Sequence, residues 1–477
     1  MNTPLIGRKE EQKILKKALD STEAEMVAVI GRRRVGKTFL VRSVYQKQII
    51  FEITGTQNAP YSEQLQNFIL QLNKAAQNTV PLQPPKNWME AFHFLTLFLE
   101  KKQGDQKQVV FFDELPWLAS QKSGFLRAFG YFWNSWAVKQ NIVVVICGSA
   151  ASWMIKKVVH NTGGLYNRIT RRIYLQAFNL AETESYLISR NIYFDRYQIA
   201  QLYMALGGIP HYLKEIEANK SAIQNINLIC FSPNGLLRDE FSKLYPALFA
   251  NADNHIEIIR ALASKRHGLT RQQIIKLSKL PNGGGLTKVL DELNQSNFIS
   301  IYRPFGKKKK EQLYRLTDEY SLFYLQFIEN NIYEGSDTWH LLSQTQKFKS
   351  WSGYAFENIC LKHVPQIKRK LGISGVFSTS SSFYKKGTQS TEGTQIDLLI
   401  DRNDHVINLC EIKFHLSPFS ISKAYAEALR KKMTIFRDTT QTRKHLMLTL
   451  ITTFGVDVNQ HSLSLNVQDV TLDDLFD

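Results

Sequence analysis

Hydrophobic and polar positions along the 477-residue chain alternate in ways that predict its elements before any motif is considered. Ile14, Leu15, Ala18 and Leu19 share one face of a helix that follows Leu5-Ile6-Gly7-Arg8. Short continuous apolar runs, Met26 to Ile30, Val109 to Phe112 and Ile142 to Cys147, read as buried parallel strands, with a shorter strand from Ile49 to Ile53. A polar, proline-containing stretch up to Pro85 reads as an inserted excursion. Trp88, Phe92, Leu95 and Leu99 then recur at helical spacing, as core residues do. Short helices over 181–190 and 197–206 end at Gly207-Gly208-Ile209-Pro210, which fixes a sharp turn.

From His255 the pattern changes. A helix over 255–264, a second with Thr270 as its N-cap, and a third over 286–297 opened by Gly283-Gly284-Gly285 lead into strands over 298–305 and 311–318. Three helices and a hairpin predict a winged helix-turn-helix. A polar link from Trp339 to Trp351 follows, then a helix over 352–363, strands over 395–400 and 406–414 joined by a turn, and a helix over 421–438. The predicted organisation is a sheet domain over 1–178, a helical region over 179–250, the winged helix over 251–330, an α/β domain over 345–460 and a tail over 461–477.

Charge sharpens this picture. The net charge is +18, and residues 255–315 hold thirteen Lys and Arg against four Asp and Glu, half of that excess. Such a balance favours a polyanionic partner, DNA above all. Helix 286–297, carrying Lys288, would enter a major groove while Lys307, Lys308, Lys309 and Lys310 neutralise backbone phosphates. Asp291 and Glu292 on the same helix weigh against tight base reading, and winged helices also mediate protein contacts. The four cysteines are widely spaced, with no metal or redox pairing, and fit buried thiols in a reducing cytosol. No apolar run is long enough to span a membrane, and the N-terminal segment lacks a signal pattern, so a cytoplasmic protein without a membrane partner is expected.

The chemistry begins between the first long strand and the next helix. Gly31-Arg32-Arg33-Arg34-Val35-Gly36-Lys37-Thr38 fits G-x-x-x-x-G-K-[ST] in full. Backbone N–H groups there would cradle a polyphosphate, Lys37 would reach the β- and γ-phosphates, and the Thr38 hydroxyl would bind Mg²⁺. Arg32, Arg33 and Arg34 either add charge near the phosphates or bind other protein surfaces. The strand Val109 to Phe112 ends in Asp113 and Glu114: Asp113 would hold Mg²⁺ and Glu114 would polarise an attacking water. Ser149, after the strand ending at Cys147, would sense the γ-phosphate or orient water, or is a turn serine. Arg168 would act on a phosphate in cis or across a subunit interface of a homo-oligomer, with a structural or DNA-facing role equally open.

Gly7-Arg8, GRRRVGKT, FFDELPWL, CGSAASWM, LYNRITRRIYLQAF and GGIPHYL together resemble the archaeal-type ATPases of the AAA+ superfamily, through about residue 215. The resemblance implies a five-stranded parallel sheet, a small helical lid over nucleotide, and ATP hydrolysis. It also implies a nuclease-like domain at the C-terminus. Asn167 stands where the family's Leu-Tyr-Gly-Arg stretch has glycine, ahead of the retained Arg168.

The C-terminal residues hold a second constellation. Glu411 and Lys413 alternate onto one face of a strand. If the turn between strands is the three residues Asn403, Asp404 and His405, Asp397 pairs directly with Glu411. Two adjacent carboxylates repel unless a cation separates them, which suggests Mg²⁺ or Mn²⁺ with oxygen ligands from Asp397 and Glu411. The ion would activate a water that Lys413 aligns. Asp, a gap and Glu-x-Lys resemble the PD-(D/E)xK nuclease superfamily over roughly 350–440, and Glu357 matches its first-helix acid. Lys423, Arg430 and Lys431 on the following helix would face a DNA backbone.

The expected fold is therefore α/β: a P-loop AAA+ core with a helical lid, a winged helix-turn-helix and a restriction-endonuclease-like domain. The expected function is an ATPase acting on DNA, its nucleotide state gating the DNA-handling half. The rival is a non-cutting switch, in which ATP controls binding of DNA or a protein and the C-terminal fold is a platform.

Overall fold

Four largely apolar segments and a fifth, more polar one pair into one parallel sheet in the computed structural model, which describes residues 4–477 except 78–80, 103, 105, 121, 250, 332–336 and 388–392. The chain divides into two compact units, 1–177 and 178–477. The first unit runs α1 (Lys9–Leu19), β1 (Glu25–Ile30), α2 (Lys37–Tyr45), β2 (Ile49–Thr54), α3 (Tyr61–Ala76), α4 (Trp88–Lys101), β3 (Gln108–Asp113), α5 (Phe125–Ser135), β4 (Ile142–Gly148) and β5 (Arg171–Tyr174). Sheet order is β2-β3-β4-β1-β5. All of β1 and β4 is buried, as strands covered on both faces must be, which is why their sequences are apolar runs apart from Glu25, which pairs with Arg171.

One face of this sheet is closed by aromatic packing among α3, α4 and α5. Trp88 sits edge-on to Phe125 with ring centroids 4.7 Å apart, and Phe68, Phe92 and Phe129 complete the cluster. Here the sequence expectation needs correction. The stretch before Pro85, expected as an excursion, contains α3, whose Leu65, Phe68, Ile69 and Leu72 are buried at helical spacing. Its polar residues occupy the outer side except Gln64, which is buried and bonds the Thr56 backbone.

The second unit begins with α6 (Leu180–Ile188), α7 (Arg196–Leu206) and α8 (Ala222–Cys230). Gly207, at φ +65, and Gly208 end α7; a Cβ on Gly208 would lie 1.9 Å from the Phe178 carbonyl oxygen. Next come α9 (Ala252–Ala263), α10 (Arg271–Ser278), α11 (Gly284–Gln295) and the antiparallel pair β6 (Ile299–Tyr302) and β7 (Leu313–Leu316). Thr270 caps α10 by accepting from the Gln273 N–H, with Gln273 returning the bond.

Beyond these, α12 (Gln346–Lys362), β8 (Ser378–Lys385), β9 (Thr394–Arg402), β10 (Val406–Lys413), α13 (Lys423–Thr440), β11 (His445–Thr452) and β12 (Gln468–Thr471) build a mixed sheet of order β12-β11-β10-β9-β8. Strands β8 to β10 are antiparallel neighbours, and β10 to β12 are parallel. Two expectations fail here for one reason, the burial of apolar side chains. The supposed polar link holds Trp339, fully buried edge-on to Phe323 at 4.8 Å and Phe327 at 5.0 Å, with Trp351 beside them. The supposed tail over 461–477 supplies β12 and buries Leu475 and Phe476.

His363 ties α12 to α6. Its Nε2 accepts from the Leu180 N–H at 3.1 Å, and Nδ1 bonds the Ile359 carbonyl oxygen at 2.8 Å, so the neutral ring fits the site. Burial pushes its pKa down to about 4. Between that value and the ordinary 6.5 the unfolded chain binds the extra proton, so stability present at neutral pH is lost as pH falls through this window. The second unit should lose about 3 kcal/mol between pH 7 and pH 4 from this ring. Denaturant unfolding at stepped pH checks this, and His363→Gln should flatten that part of the profile.

Candidate functional site

In the first unit, polar groups gather at the C-terminal ends of β1, β3 and β4. The register pairs Ile30 with Gly148 and Phe112 with Ile146, so the loop after β1, Asp113 and Ser149 emerge at one edge. Gly31 must be glycine because the chain passes against β5: a Cβ there would lie 2.4 Å from the Leu175 carbonyl oxygen. Gly36 is needed for a different reason, its φ of +94 at the N-cap of α2. Arg34 also has positive φ, at 73.

Lys37 is buried, and its Nζ donates to the Arg32 carbonyl oxygen at 3.0 Å. The Thr38 hydroxyl donates to Asp113 Oδ2 at 2.7 Å. A hydroxyl and a carboxylate are hard oxygen donors of the kind Mg²⁺ takes, and the adjoining helix N-terminus suits the charge of a polyphosphate. Arg32 is buried, while Arg33 and Arg34 are partly exposed, and Val35 is buried with its carbonyl oxygen accepting from Arg8 Nη2 at 3.3 Å.

Glu114 occupies the left-handed region at φ 47, a conformation that costs a non-glycine residue roughly 1–3 kcal/mol and persists only when held. It is held by Ser149: Glu114 Oε2 accepts from the Ser149 N–H at 3.0 Å and from its hydroxyl at 2.8 Å. Ser149 thus touches the acid expected to polarise water. Asn167 has a left-handed backbone at φ 52, a conformation that asparagine tolerates better than most residues other than glycine. Arg168 is exposed, outside the cluster formed by Thr38, Asp113, Glu114 and Ser149.

The second unit brings together Glu357, Asp397, Glu411 and Lys413. The β9–β10 register runs from Asp401 opposite Ile407 to Leu398 opposite Cys410, which leaves Asn403, Asp404 and His405 as the turn. One step further on, Asp397 Oδ2 accepts from the Ile412 N–H at 3.4 Å. Glu411 is buried and sits 3.9 Å from Lys413 Nζ. Burial pushes the Glu411 carboxyl up; Lys432 pulls it back, and Asp397 adds to the rise. Glu357 behaves alike: burial raises it, Arg315 opposes and Asp397 reinforces.

Several residues here escaped the sequence reading. Lys432 Nζ donates to Glu411 Oε1 at 2.7 Å, and the Tyr425 hydroxyl donates to Oε2 at 3.5 Å. Lys432 flanks the buried stripe of α13, Ala426, Leu429 and Phe436, a position from which helical spacing could have singled it out. Lys423, Arg430 and Lys431 are exposed instead, Arg430 bonding Ser464. Arg315 Nη1 donates to Glu357 Oε1 at 2.6 Å, a contact across 42 residues that no local pattern announces. Gln395 joins Asp397 Oδ1 at 3.2 Å to His267 Nδ1 at 2.8 Å.

Asp397 and Glu411 are oxygen donors of the kind Mg²⁺ takes with waters completing its shell, so the donor chemistry fits. The two glutamates are already paired with cations, however: Glu357 with Arg315, and Glu411 with Lys432 and Lys413. Among the described residues no group of three His, Cys, Asp or Glu is arranged to hold a metal.

Lys307, Lys308, Lys309 and Lys310 are exposed on the turn between β6 and β7, with Glu311 3.3 Å from Lys307. Lys288 is exposed on α11, 3.9 Å from Glu292. Glu292 also bonds His255 on α9 at 3.0 Å, which turns this acid toward the helices and away from the outer face. All four cysteines are buried and free. No helix among the described residues is long and apolar enough to cross a membrane.

Residues 5–216 match the family described as an ATPase domain predominantly from Archaea. The chain is 23% identical over 444 residues to an uncharacterized protein of Methanocaldococcus jannaschii, covering 91% of this chain and 93% of that protein. A Walker-type ATPase of Pyrococcus abyssi superposes with a TM-score of 0.50 at 18% identity, over 68% of this chain and 96% of that one. With its five-stranded parallel sheet and phosphate-binding loop, the matched part of the chain is a P-loop ATPase domain.

The two loop glycines should fail differently when replaced. Gly31→Ala forces backbone apart at Leu175 and should lower the thermal midpoint of the first unit by several degrees and abolish ATP-induced stabilisation. Gly36→Ala meets nothing within 4 Å and should cost only the left-handed penalty of about 1–2 kcal/mol. Thermal unfolding with and without Mg²⁺–ATP distinguishes them.

Proposed function

We propose that this ATPase acts on DNA, with ATP binding and hydrolysis in the first unit controlling a DNA-handling second unit. In the first unit Lys37 and the loop from Gly31 to Thr38 bind the triphosphate, Asp113 and Thr38 hold Mg²⁺, and Glu114, oriented by Ser149, polarises the attacking water. Arg168, exposed, serves a phosphate of its own or a neighbouring subunit. In the second unit, residues 252–316 act as a winged helix-turn-helix: α11 with Lys288 approaches a groove and Lys307 to Lys310 neutralise phosphates.

The single observation that carries the nuclease-like reading is the meeting of Glu357, Asp397, Glu411 and Lys413 from a helix and two strands at one place. Asp397 and Glu411 would hold Mg²⁺ or Mn²⁺, which supplies an activated water and charge neutralisation on a scissile phosphate. Lys413 and Lys432 orient and discharge that phosphate. A second reading has its own support: Arg315 and Lys432 already neutralise the two buried glutamates, as they would in a fold that binds DNA or a protein without cutting.

Incubation of the full chain with supercoiled, linear and single-stranded DNA in Mg²⁺ or Mn²⁺, with and without ATP, separates the two. Cleavage abolished by both Asp397→Ala and Lys413→Ala is the expected outcome, and an inert wild type favours the non-cutting switch. Lys37→Ala should lower ATP turnover and alter cleavage together; independent activities would remove the coupling. Changing Lys307 to Lys310 to Ala should weaken DNA binding uniformly across sequences and flatten its salt dependence, and unchanged binding would remove the wing from the interface.

A further inference from the structure

The ion pair between Arg315 and Glu357 joins two parts of the second unit that the sequence reading kept apart. Arg315 lies on β7 opposite Ser300, and Glu357 lies on α12. Both side chains are withdrawn from water, at 4% and 12% exposure, and the guanidinium stacks over Tyr354 at 4.7 Å. Its Nε and Nη2 are buried with no hydrogen-bond partner among the described residues. A purely structural guanidinium would be expected to use more of its five donors. The same hairpin side delivers a second basic group. His267 reaches Asp397 through Gln395, and its loop is pressed onto β7, where Leu269 and Tyr314 exchange backbone bonds. A Cβ on the intervening Gly268 would lie 2.6 Å from the Tyr314 carbonyl oxygen, so the loop is packed directly on the strand.

Taking the acidic cluster as a divalent-cation site, as proposed above, we infer that Arg315 is its latch: a built-in cation that occupies Glu357 and competes with the metal until the β6–β7 hairpin is drawn away. Lys413 and Lys432 belong to the strand and helix that carry or cover the cluster, whereas Arg315 arrives on the hairpin whose tip holds Lys307 to Lys310. DNA engaging that tip pulls on the strand that bears the latch. Withdrawal of Arg315 leaves Glu357, Asp397 and Glu411 in excess over their lysine partners, and a divalent cation is then the favoured replacement. The latch therefore makes cation loading conditional on DNA.

The test is Mn²⁺ binding to the full chain without nucleotide, followed by isothermal titration and by the loss of free-Mn²⁺ resonance. Arg315→Gln should bind Mn²⁺ at least tenfold more tightly than wild type, Arg315→Lys should stay near wild type, and adding Asp397→Asn to Arg315→Gln should erase the gain. Unchanged or weaker binding by Arg315→Gln, with Asp397→Asn still weakening wild type, overturns the latch and leaves the cation site standing. Equal binding by wild type, Arg315→Gln and Asp397→Asn overturns both. Should Arg315→Gln not fold, hydrogen exchange on wild type decides instead. Mn²⁺ should speed exchange in 265–269 and 313–316, because ion and latch exclude each other, and slowed or unchanged exchange there overturns the latch.

Discussion

A carboxylate withdrawn from water must find a donor or a cation, and the acidic cluster of each unit is arranged by how that demand is met. In a low-dielectric edge an unpaired charge costs several kcal/mol, so each acid fixes the position of whatever answers it. In the first unit the answers are neutral donors: the Thr38 hydroxyl for Asp113, and the backbone and hydroxyl of Ser149 for Glu114. In the second unit they are full cations, Arg315 for Glu357 and Lys432 for Glu411. The difference matters chemically. Neutral donors orient a carboxylate and leave its charge available to a metal or a water, whereas a cation consumes it.

Four strands of the parallel sheet in the first unit were readable because their physics is local, whereas β5, Arg171–Tyr174, is too polar to stand out as an apolar run. Strands buried on both faces have to be apolar throughout, and the polar residues that break the runs have to lie at their ends; Asp113, Glu114 and Ser149 are such residues. The phosphate loop was readable for the same reason, since Gly31 and Gly36 answer steric demands set within a few residues and one neighbouring strand. The helix α3 was missed although Leu65, Phe68, Ile69 and Leu72 carry its stripe, because prolines and glutamines around it dominate the average polarity of the stretch. Trp339 and Trp351 were misjudged likewise: two large aromatic rings outweigh the polar residues between them once they find Phe323 and Phe327.

The acidic cluster of the second unit was half legible. Alternation along β10 put Glu411 and Lys413 on one face, and the turn length put Asp397 opposite Glu411. What remained invisible depends on contacts between distant segments. Lys432 lies on a helix after the hairpin, His267 precedes it by well over a hundred residues, and Arg315 comes from another two-stranded sheet. Sequence periodicity reports which face a residue occupies, and only tertiary packing decides what that face meets.

The energetics of Arg315 and Glu357 give this long-range contact its consequence. Leaving one member of such a buried pair alone costs about 3–5 kcal/mol, so the pair resists separation unless another charge takes the vacated place. The burial that raises the Glu357 carboxyl is the same burial that makes a replacement cation favourable once the guanidinium leaves. Exchange of one cation for another is therefore far less costly than removal of either. The arginine is carried by a hairpin with an exposed lysine turn, Glu357 by α12 and the other two acids by a separate sheet, so the latch proposed above would couple that exchange to whatever engages the hairpin. A charge cluster that looks balanced in isolation is, by its connectivity, one in which only one of the balancing charges is mounted on the hairpin that carries the exposed Lys307 to Lys310.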